Sequence, residues 1–179
     1  MPQSNVAYDF LESACEAEWM NNGQPLPCPS LDYVSIGGGF VGILEAPSVE
    51  GMGQISESAL LTHPSMDSAY TGIFGSYPAM TIEAGDKFQA TLACLGQVEA
   101  AHCNVKFGLA YYEEDGTYVD SSAMGWEWEK RFDQTTLNIF VDLGPIAGQT
   151  VRLVLLIRDN GNPLGDYALW LNPVLVRPE

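Results

Sequence analysis

Positive charge is scarce in this 179-residue chain: seven lysines and arginines, of which only Lys87, Lys106 and Lys130 are lysines, stand against 23 aspartates and glutamates. The net charge of −16 and the isoelectric point near 4.1 repel phosphate backbones and anionic headgroups. No basic stripe offsets that repulsion, so nucleic acid and membrane surfaces are not expected partners. Histidine is limited to His63 and His102, which excludes a histidine-rich metal centre, and no Gly-x-Ser-x-Gly elbow marks a serine hydrolase. No apolar run approaches the length that spans a bilayer. The first residues lack the charged start and apolar run of a signal peptide, so export is expected from cysteine usage and composition instead.

The four cysteines fall as two near pairs, Cys15 with Cys28 and Cys94 with Cys103, separated by a long gap. Three pairings are possible; the spacing favours two local disulfides, as in an exported protein. The first would close a loop holding Trp19 and Asn21-Asn22-Gly23, and the second would clamp a turn between two strands. A zinc site is the competing idea, and the missing Cys-x-x-Cys speaks against it.

Helical periodicity is nearly absent, limited to a short turn over Leu11–Glu18. Apolar residues recur instead with period two, in short segments cut by Gly, Pro, Asn and Asp, which predicts an all-β chain. The clearest strands are 87–94, 103–112, 137–143 and 149–158. In the last, Val151, Leu153, Leu155 and Ile157 point one way while Val154 and Leu156 point the other, as in a strand covered on both faces. Turn chemistry separates the strands at Glu83-Ala84-Gly85-Asp86, Glu113-Glu114-Asp115-Gly116 and 144–148. About ten short strands over residues 1–179 predict one antiparallel β-sandwich domain of jelly-roll type.

The run Tyr8-Asp9-Phe10, Cys15, Trp19, Leu26-Pro27-Cys28-Pro29, Leu60-Leu61-Thr62-His63-Pro64, Ala84-Gly85-Asp86-Lys87-Phe88 and Gly165-Asp166-Tyr167-Ala168-Leu169-Trp170 resembles a secreted bacterial β-sandwich domain appended to larger extracellular proteins. The final motif is similar to the end of carbohydrate-binding modules of the galactose-binding jelly-roll type. The resemblance implies a secreted or cell-surface module with no catalytic residue of its own. It also implies a structural calcium where the first and last strands meet, for which Asp9, Glu12, Asp166 and Asn172 supply oxygens. Turn capping is the alternative role for Asp9 and Asp166.

Sugar binding in such modules needs aromatic faces flanked by hydrogen-bonding groups. Trp126 and Trp128 share one face of a strand, with side chains about 7 Å apart, and so form either a glycan platform or a pair of core tryptophans. Glu127 lies on the opposite face, Arg131 follows along the strand, and Tyr112 and Tyr118 flank the hairpin turn at 113–116. Tyr33, Tyr70 and Tyr77 sit in loop-like surroundings. A small jelly-roll glycoside hydrolase would need two facing carboxylates, whereas Glu127 and Glu129 project from one strand. The expected function is therefore a non-catalytic glycan-recognition module. The alternative is a structural or adhesive cell-surface or filament subunit, whose edge strands carry few guarding lysines.

Overall fold

The computed structural model describes residues 4–21, 23–30, 38–66, 72–96 and 102–179. Sixteen strands, numbered in chain order, occupy those residues, and every pairing between them is antiparallel. The four strands clearest in the sequence form where expected: β10 (Lys87–Cys94), β11 (Asn104–Glu113), β14 (Leu137–Asp142) and β15 (Thr150–Asp159). The strand count exceeds ten because five elements are two-residue pieces, too short to show an alternation.

One sheet runs β14, β10, β16 (Ala168–Pro178), β7 (Ala59–His63), β4 (Phe40–Leu44), with β1 (Ser4–Asp9) lying along the second half of β16. The other runs β12 (Tyr118–Val119), β11, β15, β8 (Gly72–Ser76), β2 (Glu18–Asn21), β3 (Gln24–Pro25). On this second sheet β13 (Glu127–Arg131) adds to β11, and β9 (Met80–Thr81) to β15. A small hairpin, β5 (Ser48–Val49) with β6 (Gly53–Gln54), forms a separate two-stranded sheet joined to the end of β10 by a bridge from Val49 to Leu95.

Period-two alternation sends one side of each sheet into a shared core. Phe88, Leu92, Ile139 and Val141 from the first sheet meet Phe107, Leu109, Leu153 and Leu155 from the second. Aromatic rings fill the centre edge to face: Phe10 on Tyr77 at 4.8 Å, Phe10 on Phe88 at 5.2 Å and Phe107 on Trp170 at 4.8 Å. Gly75 is required under the Trp19 indole, because a Cβ there would lie 2.5 Å from the ring. Each sheet also carries apolar residues outward. Leu169 and Leu171 pack with Phe40, Val49 and Leu61, and Val154 and Leu156 with Ala110, so β15 is covered on both faces as its sequence predicts.

Both expected disulfides are present, Cys15–Cys28 and Cys94–Cys103. The second departs from a simple turn clamp: β10 ends at Cys94 in one sheet and β11 begins at Asn104 in the other, so the bond ties the two sheets together. Beside it lies a buried ion pair. Lys130 Nζ sits 2.7 Å from Glu50 Oε1, and Glu50 accepts backbone N–H groups of Cys94, Asp133 and Gln134 at 2.7, 2.9 and 3.1 Å.

Candidate functional site

The outward side of the eight-stranded sheet forms a groove. Because Tyr111 turns into the core, Tyr112 must turn out, and β12 brings Tyr118 directly opposite it. The two rings lie 5.1 Å apart, tilted by 51°. Phe74 and Ser76 of β8, Val154 of β15, and Glu18 and Met20 of β2 complete a cavity of about 430 Å³. The floor is therefore aromatic and aliphatic, and the rim is polar.

The rim is electrostatically closed on itself. Arg158 places Nη2 2.8 Å from Asp120 Oδ1 and Nη1 3.3 Å from Glu127 Oε2, with its guanidinium 5.7 Å above the Phe74 ring. Asp120 also caps the one-turn helix α1 (Ser121–Met124) and accepts the Tyr118 hydroxyl at 3.0 Å. Burial alone would raise the Asp120 carboxyl; hydrogen bonds from Arg158, Ser122 and Tyr118 outweigh it and hold the group well below the usual carboxylate range. Burial, and next the hydrogen bond to Asp120, push the Tyr118 phenol up, so it stays a neutral donor. The helix fits against the sheet because Gly108 has no side chain: a Cβ there would lie 2.7 Å from Ser121 Oγ. On the other wall Arg152 pairs with Glu18 at 3.2 Å and donates through Nε to the Tyr77 carbonyl. The Ser76 hydroxyl is buried and has no hydrogen-bond partner among the described residues.

The structure brings three of the predicted ligand-binding residues together here, Tyr112 and Tyr118 in the groove and Glu127 on its Arg158 rim. The others lie elsewhere. Trp126 is 8% exposed and packs in the core 6.3 Å from Tyr111, and Trp128 is half-buried against the same core, so the two-indole platform is corrected to core packing. The reason is register: Trp128 pairs with Phe107, an inward residue of β11. Arg131 is exposed opposite Asn104, eight positions along β11 from Tyr112 and about 26 Å of strand away. Tyr77 is fully buried rather than in a surface loop, and Tyr33 and Tyr70 lie outside the described residues. Phe74 and Ser76 were missed because a Gly-rich strand, Gly72-Ile73-Phe74-Gly75-Ser76, shows little alternation.

The four proposed calcium ligands do not converge. Asp9 pairs with Val174, six residues past the start of β16 and about 20 Å of strand from the Asp166 end. Asp9 Oδ1 is occupied by the backbone N–H groups of Leu11 and Glu12, the capping alternative. Asn172 is exposed, with φ of 47°. Asp166 is fully buried, with Oδ1 accepting the Asn104 N–H at 2.8 Å. Burial, reinforced by Asp159, pushes its carboxyl up to about 8. Among the described residues, no three His, Cys, Asp or Glu side chains gather as a metal cluster.

No protein family's sequence pattern matches the chain, and no curated protein does. Solved structures do. TmCBM61 in complex with β-1,4-galactotriose aligns over 98% of this chain and 100% of its own, at 14% identity and a TM-score of 0.53. The fold is shared with carbohydrate-binding modules. The K1 cleaved adhesin domain of Lys-gingipain from Porphyromonas gingivalis W83 aligns over 100% of this chain and 99% of its own, at 11% identity and a TM-score of 0.55. The CBM51-2 and INT domains of Clostridium perfringens ZmpB, in complex with GlcNAc, align over 80% of this chain at 17% identity and a TM-score of 0.51. This chain spans only 29% of the length of that structure.

Proposed function

We propose that this protein is a non-catalytic carbohydrate-binding module that holds a neutral glycan in the groove on the outward side of its eight-stranded sheet. The observation that carries this reading is the Tyr112–Tyr118 pair opening onto a cavity of about 430 Å³ with a polar rim. Aromatic faces take the C–H face of a pyranose, and the polar rim serves its hydroxyl groups. Neutral glycans are favoured over uronates or sulfated chains because Arg152 and Arg158 are already neutralised by carboxylates, in a chain of charge −16. The carbohydrate-binding modules that share the fold support the same reading.

Two disulfides, and no helix among the described residues long and apolar enough to cross a membrane, fit a protein that works in an oxidising compartment outside the cytoplasm. We place it at the cell surface or in the medium, as one part of a larger extracellular protein. The deciding experiment is retention of the oxidised domain on β-1,4-galactan, xylan and β-glucan beside carboxylated and sulfated polymers. Retention on a neutral polymer, weakened in Tyr118→Ala, is the expected result. A folded domain retained by none of them would shift the assignment to an adhesive role, the adhesin domain of Lys-gingipain having the same fold.

A further inference from the structure

The opposite sheet carries a second aromatic feature. Phe140 is 72% exposed, the highest value among the large apolar side chains described, and it sits on the edge strand β14. Its neighbours Ile139 and Val141 enter the core, so strand geometry forces Phe140 outward, next to Gln89 on β10. Two positions on, Thr91 faces Asn138 and donates its hydroxyl to Asn138 Oδ1 at 2.7 Å, which leaves the Asn138 amide N–H₂ free to donate.

A break in register opens the surface at this point. Thr91 pairs with Leu171 and Gln89 with Val174, so two residues of β10 are spanned by three of β16. The extra length is taken up at Asn172, whose φ of 47° turns its side chain out of the pleat. The result is a dent of about 220 Å³ lined by Gln89, Thr91, Asn138, Phe140 and Asn172. Neither the Gln89 nor the Asn172 side chain has a hydrogen-bond partner among the described residues. No charged side chain lines the dent, although the chain carries 30 charged residues, 23 acidic and 7 basic.

We propose that this dent is a second binding site for a neutral saccharide, with Phe140 stacking on the sugar and Gln89, Asn138 and Asn172 hydrogen-bonding its hydroxyl groups. Uncharged carboxamides beside an exposed ring match a ligand that is hydroxyl-rich on its edges and apolar on its face. The proposal rests on the carbohydrate-binding reading of the groove. Because the two sites lie on the outward sides of opposed sheets, they face away from each other and engage separate glycan chains. The domain is then bivalent and cross-links soluble polysaccharide.

The test uses whichever of soluble β-1,4-galactan, xylan or β-glucan the intact domain binds best, and reads both turbidity and oligosaccharide sites per domain. The expected result is turbidity and two sites for the native domain, with one site and no turbidity for Phe140→Ala and again for Tyr118→Ala. The double variant should bind nothing. Phe140 is exposed, so its replacement leaves the fold intact, which an unchanged melting curve verifies. A Phe140→Ala variant with native turbidity and site number, beside a Tyr118→Ala variant that binds nothing, overturns the second site alone. A native domain that binds no polysaccharide overturns both sites.

Discussion

At the scale of single residues, aromatic position separates binding from stability. Tyr118 is partly exposed on a two-residue strand, so Tyr118→Ala should remove the groove's oligosaccharide site, weaken polysaccharide retention and leave the melting temperature close to native. Trp126→Ala should do the reverse, lowering unfolding free energy by about 3–5 kcal/mol in a denaturant titration, because it empties a core position. Titratable residues give a second prediction, with two opposed slopes. His63 is buried against Phe40 and Tyr167, and burial lowers its pKa, so the unfolded chain takes up a proton that the folded one refuses. Stability should fall as pH drops below about 6.5, and His63→Phe should flatten that arm. Asp166 is raised to about 8, so its contribution is complete below about pH 4 and lost as pH rises through 8. Asp166→Asn should flatten that arm, read as melting temperature against pH. The sequence showed that Trp126 and Trp128 share a face and that Tyr112 opposes Tyr111. Alternation alone does not say which face is inward; only the pairing of β13 with β11 decides it.

Among elements, the contact between the two sheets is held by the Cys94–Cys103 bridge and by the buried Lys130–Glu50 pair beside it. Removing one partner of such a pair leaves an uncompensated buried charge. Lys130→Ala should therefore cost about 3–5 kcal/mol by chemical denaturation. Replacing both Cys94 and Cys103 by Ala should cost about 2–4 kcal/mol on the same scale, with the groove still able to bind. The long strands β10, β11, β14 and β15 were legible because each alternates over six or more residues. The two-residue strands β3, β5, β6, β9 and β12 carry too few residues for any period, and β12 is the one that brings Tyr118 to the groove. Lys130 shares the inward face of β13 with Trp128, and its pairing with Glu50, in the turn between β5 and β6, was not readable from the chain.

Across the whole molecule, composition and fold point the same way. An acidic surface whose groove arginines are internally paired should discriminate against anionic polymers, a repulsion that weakens as salt screens it, whereas retention of the neutral glycan, which depends on packing and hydrogen bonds, should persist in salt. The sandwich class was readable from turns and alternation, but of the site only Tyr112 and Tyr118 across one hairpin and Glu127 at the rim were, since it gathers residues from β2, β8, β11, β12 and β15, far apart in the chain. The measurement that tests the central claim most directly is an amide NMR titration of the native domain with an oligosaccharide cut from the neutral polymer it retains. The account predicts shifts clustered at Met20, Gly23, Phe74, Ser76, Tyr112 and Tyr118. Shifts that leave those amides unmoved while others respond would contradict it.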